Sequence, residues 1–221
     1  MLVGMTQLLR LRMGALALAA MLAVPGVATA QDTGVILVGG LNVAKLSLPF
    51  PDFDFEEIEL TIDNGTRLGF VGGVLVDVNA ARRAGFTLGA LYSQRGAKMD
   101  ADVLGFGVGT IDFNMEYLEF PLLARVGVGG DEVAFSVLAG GMIGVPLRAR
   151  TVFSSFGFDE DQSFTDALPD VDFGVTFGGR ADFGRGSITA WYTHGLTDLT
   201  EGFSPEPVKH RVFTVLAGWR F

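Results

Sequence analysis

Apolar side chains recur at every second position through most of this sequence, with Gly, Ser, Thr or a charge between them. A period of two is that of an extended strand, whose successive side chains point to opposite faces. Residues 211–221 show it most clearly. Phe213, Val215, Ala217, Trp219 and Phe221 share one face, and Val212, Thr214, Leu216, Gly218 and Arg220 share the other. The same parity defines eight predicted strands, at about 34–45, 67–79, 86–98, 111–128, 133–147, 170–183, 187–197 and 211–221. One face carries Val35, Leu37, Leu41, Val43, Leu68, Phe70, Phe86, Leu118, Phe120, Leu122, Phe135, Val137, Phe173, Phe177, Ile188 and Tyr192. The opposite face carries Asn42, Thr87, Ser93, Arg95, Glu119, Arg125, Ser136, Asp172, Thr176, Arg180 and Asp182, and Arg148 is expected to extend it. Pro121 stands inside the fourth strand, where it cannot donate to a ladder, so a bulge is predicted there.

The connections alternate in length. Residues 46–66, 100–110, 149–169 and 198–209 are long, whereas 80–85, 129–131 and 184–186 are short. With eight strands and both ends on one side, every short turn falls on that side and every long loop on the other. Outer-membrane barrels are asymmetric in this way, and they are apolar outside and polar inside. A tilted strand of about 9–11 residues crosses a bilayer. The prediction is an all-β fold: an eight-stranded, antiparallel, up-and-down transmembrane β-barrel.

Composition changes this picture at the N-terminus. Arg10 and Arg12 precede the apolar run 13–24. Pro25-Gly26 breaks that run, and Ala28-Thr29-Ala30 has the small-x-small form of a cleavage site. Residues 1–30 therefore read as a signal peptide, and 31–221 as one barrel domain. Without Arg10 and Arg12 the charge is 14 basic against 25 acidic residues, a net −11, which argues against a nucleic-acid partner. There is no Cys, and so no disulfide framework and no thiolate chemistry. Past residue 30 no run of 18 apolar residues survives without a charge or a glycine cluster, so a transmembrane helix is not expected.

Four stretches carry a family resemblance: Gly39-Gly40-Leu41-Asn42, Tyr92-Ser93-Gln94-Arg95-Gly96-Ala97-Lys98, Tyr117-Leu118-Glu119-Phe120-Pro121-Leu122-Leu123 and Gly218-Trp219-Arg220-Phe221. Together they resemble the bacterial outer-membrane β-barrel domain proteins called porin-like or PorT-like. The resemblance implies an eight-stranded barrel in the cell outer membrane, with the lipid bilayer as its surroundings. It does not imply a single activity. The terminal Trp219 and Phe221 resemble the aromatic signal read by the outer-membrane assembly machinery.

Candidate chemistry is sparse. Arg95, Glu119, Arg125, Arg180, Asp182 and Arg220 all face the lumen by parity, with Asp77 toward the periplasmic end. An unpaired buried charge is costly, so these six are expected to form an ion-pair network that fills the barrel, with Glu119 or Asp182 neutralising Arg220. The alternative is a narrow arginine-lined pore that prefers anions. Catalysis would need His194 or His210 with Ser204 and Asp198 or Glu201, but no Gly-x-Ser-x-Gly elbow occurs. No catalytic, cofactor or metal site is expected. The acidic stretches 52–59 and 159–161 offer hard oxygen ligands for divalent cations, and through them a bridge to lipopolysaccharide, but they lack the spacing of a calcium loop. Phe50, Phe53, Phe55, Phe153, Phe156, Phe158 and Phe164 lie among these acids, where exposed aromatics would serve an external-loop binding or adhesion module.

Overall fold

The computed structural model describes residues 33–47, 60–79, 83–103, 106–129, 133–155, 158–165, 168–199 and 207–221. The expected leader, 1–30, lies outside them. The strands are β1 (Gly34–Leu46), β2 (Leu60–Val78), β3 (Ala84–Val103), β4 (Phe106–Gly129), β5 (Val133–Ser155), β6 (Phe158–Ser163), β7 (Asp172–Phe183), β8 (Gly186–Gly195) and β9 (His210–Arg220). Neighbours pair antiparallel around a ring, β1-β2-β3-β4-β5-β7-β8-β9, which closes where β9 meets β1 from Ile36↔Arg220 to Leu46↔His210. Eight strands thus form a closed up-and-down barrel. β6 stands outside the ring and pairs with the far end of β5. No helix among the described residues is long and apolar enough to cross a membrane.

Closure leaves no sheet edge in the barrel wall, as hydrocarbon requires of a spanning structure. The wall then sorts its two faces. Leu37, Leu68, Phe70, Val126, Phe135, Val137, Phe177, Ile188 and Phe213 are exposed on the outside, while Asn42, Thr87, Ser93, Thr176, Thr189 and Thr214 are buried inside. Phe120, expected to face lipid, is buried, although its ladder partner Ile143 is exposed.

Three expectations are corrected. Residues 100–110 are not a long loop. β3 and β4 pair through Asp100↔Thr110 to Val103↔Phe106, so this connection is a long hairpin. In the same way β2 starts at Leu60, and β5 runs on to Ser155 before β6 turns back. Ladder bonds join backbone groups, so pairing continues past the bilayer into water, where the apolar alternation that marked the strands fades.

The bulge is not at Pro121. The ladder to β3 skips the pairs opposite Phe120 and Pro121, but its register is the same on either side, Leu88↔Leu122 and Leu91↔Glu119. The shift lies between Glu116 and Tyr117, whose partners are Arg148 and Pro146. Leu147 is the extra residue, and beyond it the parity of β5 reverses. Arg148, expected inside, is therefore exposed, and Ala149 is buried in its place.

Tight turns close the opposite end. Gly184, at φ 60°, sits in the β7–β8 turn, and Asn79 adopts φ 57° after β2. Both values belong to the left-handed region, which Gly and Asn tolerate best.

Candidate functional site in the barrel lumen

The inward residues of the eight strands stack in layers along the lumen. At the end with the short turns, Asp77 of β2 is the centre of a polar layer. Its carboxylate accepts hydrogen bonds from Arg180 Nη1 at 3.1 Å and Nη2 at 2.6 Å, from Arg220 Nη2 at 3.0 Å and from Thr87 Oγ1 at 2.7 Å. Asp182 accepts from Arg180 Nε and from Arg220 Nη2, each at 3.2 Å. Arg125 donates to the Asn79 carbonyl at 2.9 Å. Two fully buried side chains, Asp77 and Arg180, thus meet in a two-pronged contact, the strongest geometry available to a carboxylate and a guanidinium.

Above this layer the lumen turns apolar. Ile36, Val38, Val71, Leu75, Leu91, Leu123, Leu138, Met142, Trp191 and Leu216 pack into one buried cluster. Next come short polar side chains that satisfy one another. Asn42 donates to Ser93 at 2.6 Å and accepts from Thr214 at 2.7 Å, while Thr176 and Thr193 are 2.8 Å apart.

The second charged group lies higher still. Arg95 Nε approaches Glu119 Oε1 to 2.7 Å, and Arg95 Nη1 reaches Asp172 Oδ2 at 3.3 Å. The closer approach is a charge contact rather than an aligned hydrogen bond. The guanidinium also lies 5.1 Å from the centre of the Tyr117 ring, a favourable cation–π distance. The Tyr117 hydroxyl is 3.2 Å from His210 Nε2, and the two rings meet edge to face.

An apolar cap covers the external end. Leu46, Ala97, Met115, Tyr117 and Ala149 come from the wall, and Leu168, Leu199 and Val208 from the connections after β6 and β8. Phe164 packs on this cap and meets Phe113 edge to face. The Leu199 amide bonds the Val208 carbonyl at 2.9 Å, and Asp198 accepts from the Val208 amide at 3.0 Å, which ties Leu199 and Val208 together in the cap.

Of the six lumen charges singled out, all are buried or half-buried inside, but they do not form one network. Arg180 and Arg220 each pair with Asp77 and Asp182, with Arg125 on the Asn79 carbonyl at the same end, while Arg95 pairs with both Glu119 and Asp172. Glu119, one of the two acids expected to neutralise Arg220, pairs with Arg95 instead. A ten-residue apolar layer separates the groups. Parity identifies inward residues but says nothing of their height, and height decides who meets whom. Asp77 and Asp172, the acids that complete the two groups, are inward by the same alternation, so the signal for them was present.

Phe164, expected exposed, is packed against the cap, whereas Phe153 is exposed. Phe50, Phe53, Phe55 and Phe156 lie outside the described residues. His194 and His210 point to opposite sides of the wall, His194 outward beside Tyr192 and His210 inward beside Tyr117. They do not share a site, and Ser204 and Glu201 lie outside the described residues. Among the described residues no cluster of His, Asp and Glu has the geometry to hold a metal ion. Trp219 and Phe221 are exposed on the outer wall at the short-turn end.

Residues 30–201 match the model of a family described as outer membrane protein beta-barrel domain. No curated protein matches the chain. Similar solved structures include Ail, the attachment invasion locus protein of Yersinia pestis, in complex with the heparin analogue sucrose octasulfate. It is 17% identical, the match covers 85% of this chain and 99% of that one, and the TM-score is 0.46. Neisserial surface protein A is 12% identical over 85% of this chain and 97% of its own, at a TM-score of 0.44. OprG of Pseudomonas aeruginosa is 14% identical over 86% and 96%, at 0.38. At such identities and scores the likeness says nothing of ligand or activity.

Proposed function

Because this chain belongs to the outer membrane protein β-barrel domain family, an integral component of the outer membrane set in its lipid bilayer, we propose that it is a closed structural barrel that conducts no solute and has no chemistry of its own. One observation carries this: the lumen is occupied at every level. An apolar layer separates two ion-paired layers, and an apolar cap lies over the external end. An eight-stranded barrel is just wide enough for side chains to fill. An ion crossing it would have to shed its water within the apolar layer, beside Trp191 and Leu216. The expected result in a planar bilayer is silence from the purified barrel. Steady, discrete conductance steps would overturn the proposal.

A display role is favoured by one further feature. β4 and β5 have 24 and 23 residues, against the roughly 9–11 that a bilayer needs. β2 to β6 thus continue beyond the membrane on one side of the barrel as a sheet able to contact other molecules, including lipopolysaccharide or divalent cations at its acidic strand β6. Shortening the β3–β4 hairpin should leave the barrel folded while abolishing any such contact. The proposal extends to assembly, with residues 1–30 as the leader and Trp219 and Phe221 as the signal presented to the assembly machinery.

A further inference from the structure

We propose that Lys45, Lys209 and Arg211, with His194 beside them, form a site on the outer wall of the barrel for the phosphate of an outer-leaflet lipid. Lys45 and Arg211 are direct cross-strand partners on β1 and β9, and both point outward and are exposed. His194 of β8 is the partner of Arg211 on its other side. Lys209 stands one outward step beyond Arg211, with its carbonyl held by the Ser47 amide at 2.9 Å. Like charges directly opposite each other on a sheet are destabilising. Among the described residues none of the three cations makes an ion pair. Asp198, in the connection that leads to them, is engaged by the Val208 amide. The three cations thus form a local basic patch in a chain of net charge −9.

Its height says which anion. The outward column of β9 runs Trp219, Ala217, Val215, Phe213 and then Arg211. That of β1 runs Val35, Leu37, Gly39, Leu41, Val43 and then Lys45, and that of β8 runs Ile188, Ala190, Tyr192 and then His194. Three adjacent strands turn from apolar to basic or imidazole side chains at one level. Ten residues from Phe221 to Arg211, at about 3.4 Å each and tilted about 40°, climb about 26 Å. The apolar band of such barrels is about 25 Å tall, so the switch falls where the acyl chains end and headgroups begin. Tyr192 and Phe213 lie just beneath, cross-strand partners on the lipid-facing surface, as an interfacial aromatic belt requires. A lipid anchored by its tails against Val43, Phe213 and Val215 would place its phosphate among the cations, where the forked guanidinium of Arg211 suits a phosphate and the two lysines add point charges. A free anion would have only solvent-exposed charges to hold it, which bind weakly. The inference rests on the outer-membrane location alone and is independent of whether the lumen conducts.

The full chain, purified in a maltoside detergent without phosphate, should retain bisphosphorylated lipid A in native mass spectrometry. Fully dephosphorylated lipid A should be retained at least tenfold less. The double variant Lys45→Gln/Arg211→Gln should lose at least tenfold in affinity. Arg83→Gln/Arg185→Gln, which removes the same two charges at the end with the short turns, should lose nothing. The swap Lys45→Arg/Arg211→Lys keeps both charges and should keep binding, which covers the case of a misfolded double variant. A second readout separates a ligand site from a structural role. Without lipid, Lys45→Gln should unfold at higher urea than the native chain, because a like-charge pair is relieved. With lipid A present, the order should reverse. Equal retention by the double variant, retention indifferent to the lipid's phosphates, displacement by millimolar inorganic phosphate, or an unchanged stability order would each overturn the proposal.

Discussion

Removing the carboxylate of Asp77 tests the lumen most directly. Asp77 and Arg180 are wholly buried, and Asp77 receives three charge-assisted hydrogen bonds, two from Arg180 and one from Arg220, besides one from Thr87. In Asp77→Ala, Arg180 keeps only Asp182, at 3.2 Å on the more exposed side of the layer. Breaking a buried ion pair by removing one partner costs about 3–5 kcal/mol, because the surviving charge stays desolvated. Taking about 4 kcal/mol and a urea m-value of about 2 kcal/mol/M, the unfolding midpoint should fall by about 2 M. The assay is urea unfolding in lipid vesicles, followed by the loss of heat-modifiable gel migration. Asp112→Ala is the internal reference. Its pair with Arg67 spans 3.8 Å on the partly exposed rim, and exposed pairs contribute only about 0–1 kcal/mol. The double variant Asp77→Leu/Arg180→Met should recover most of the loss, since replacing both ions with apolar groups removes the stranded charge. A midpoint for Asp77→Ala no lower than that of Asp112→Ala would refute the reasoning. So would a double variant less stable than Asp77→Ala alone.

Three other changes follow from the same structure. Trp191→Ala empties the centre of the apolar layer and should cost about 3–5 kcal/mol by urea unfolding, without lowering the yield of inserted protein. Gly96→Ala should destabilise the upper wall, because its φ of 155° strains an L-residue and a Cβ there would meet the Phe113 carbonyl; the expected sign is a lower midpoint and faster proteolysis of the β3–β4 hairpin. Deleting Phe221 should lower membrane insertion in a vesicle-folding assay, whereas Arg220→Ala should insert normally and then unfold about 1–2 kcal/mol more easily, since it donates to Asp77 and Asp182 from a partly exposed position. Wild-type levels of folded barrel from both changes would remove the distinction between an assembly role and a packing role in β9.

The membrane-spanning parts of this fold were legible because hydrocarbon imposes a period of two on every strand that crosses it. From Val35 to Phe221 that period, together with the sorting of long and short connections, determined the eight strands, their order and which side chains face lipid. It placed Arg95, Glu119, Arg180, Asp182 and Arg220 inside. It failed where the constraint stops. Beyond the bilayer both faces of a sheet are wetted, so the extensions of β2 to β5 and the added β6 left no periodic mark. A single bulged residue, Leu147, reversed the parity that Arg148 was expected to follow. What only the tertiary structure decided was height around a closed ring. Strand tilt and register set which inward residues share a level, and no local pattern encodes them. That is why Asp77, 103 positions from Arg180 in the chain, is its partner, while Glu119 is held away from Arg220 by an apolar layer. Closure also brought Lys45 beside Arg211, two cations from opposite ends of the chain that have no relation until β9 pairs with β1.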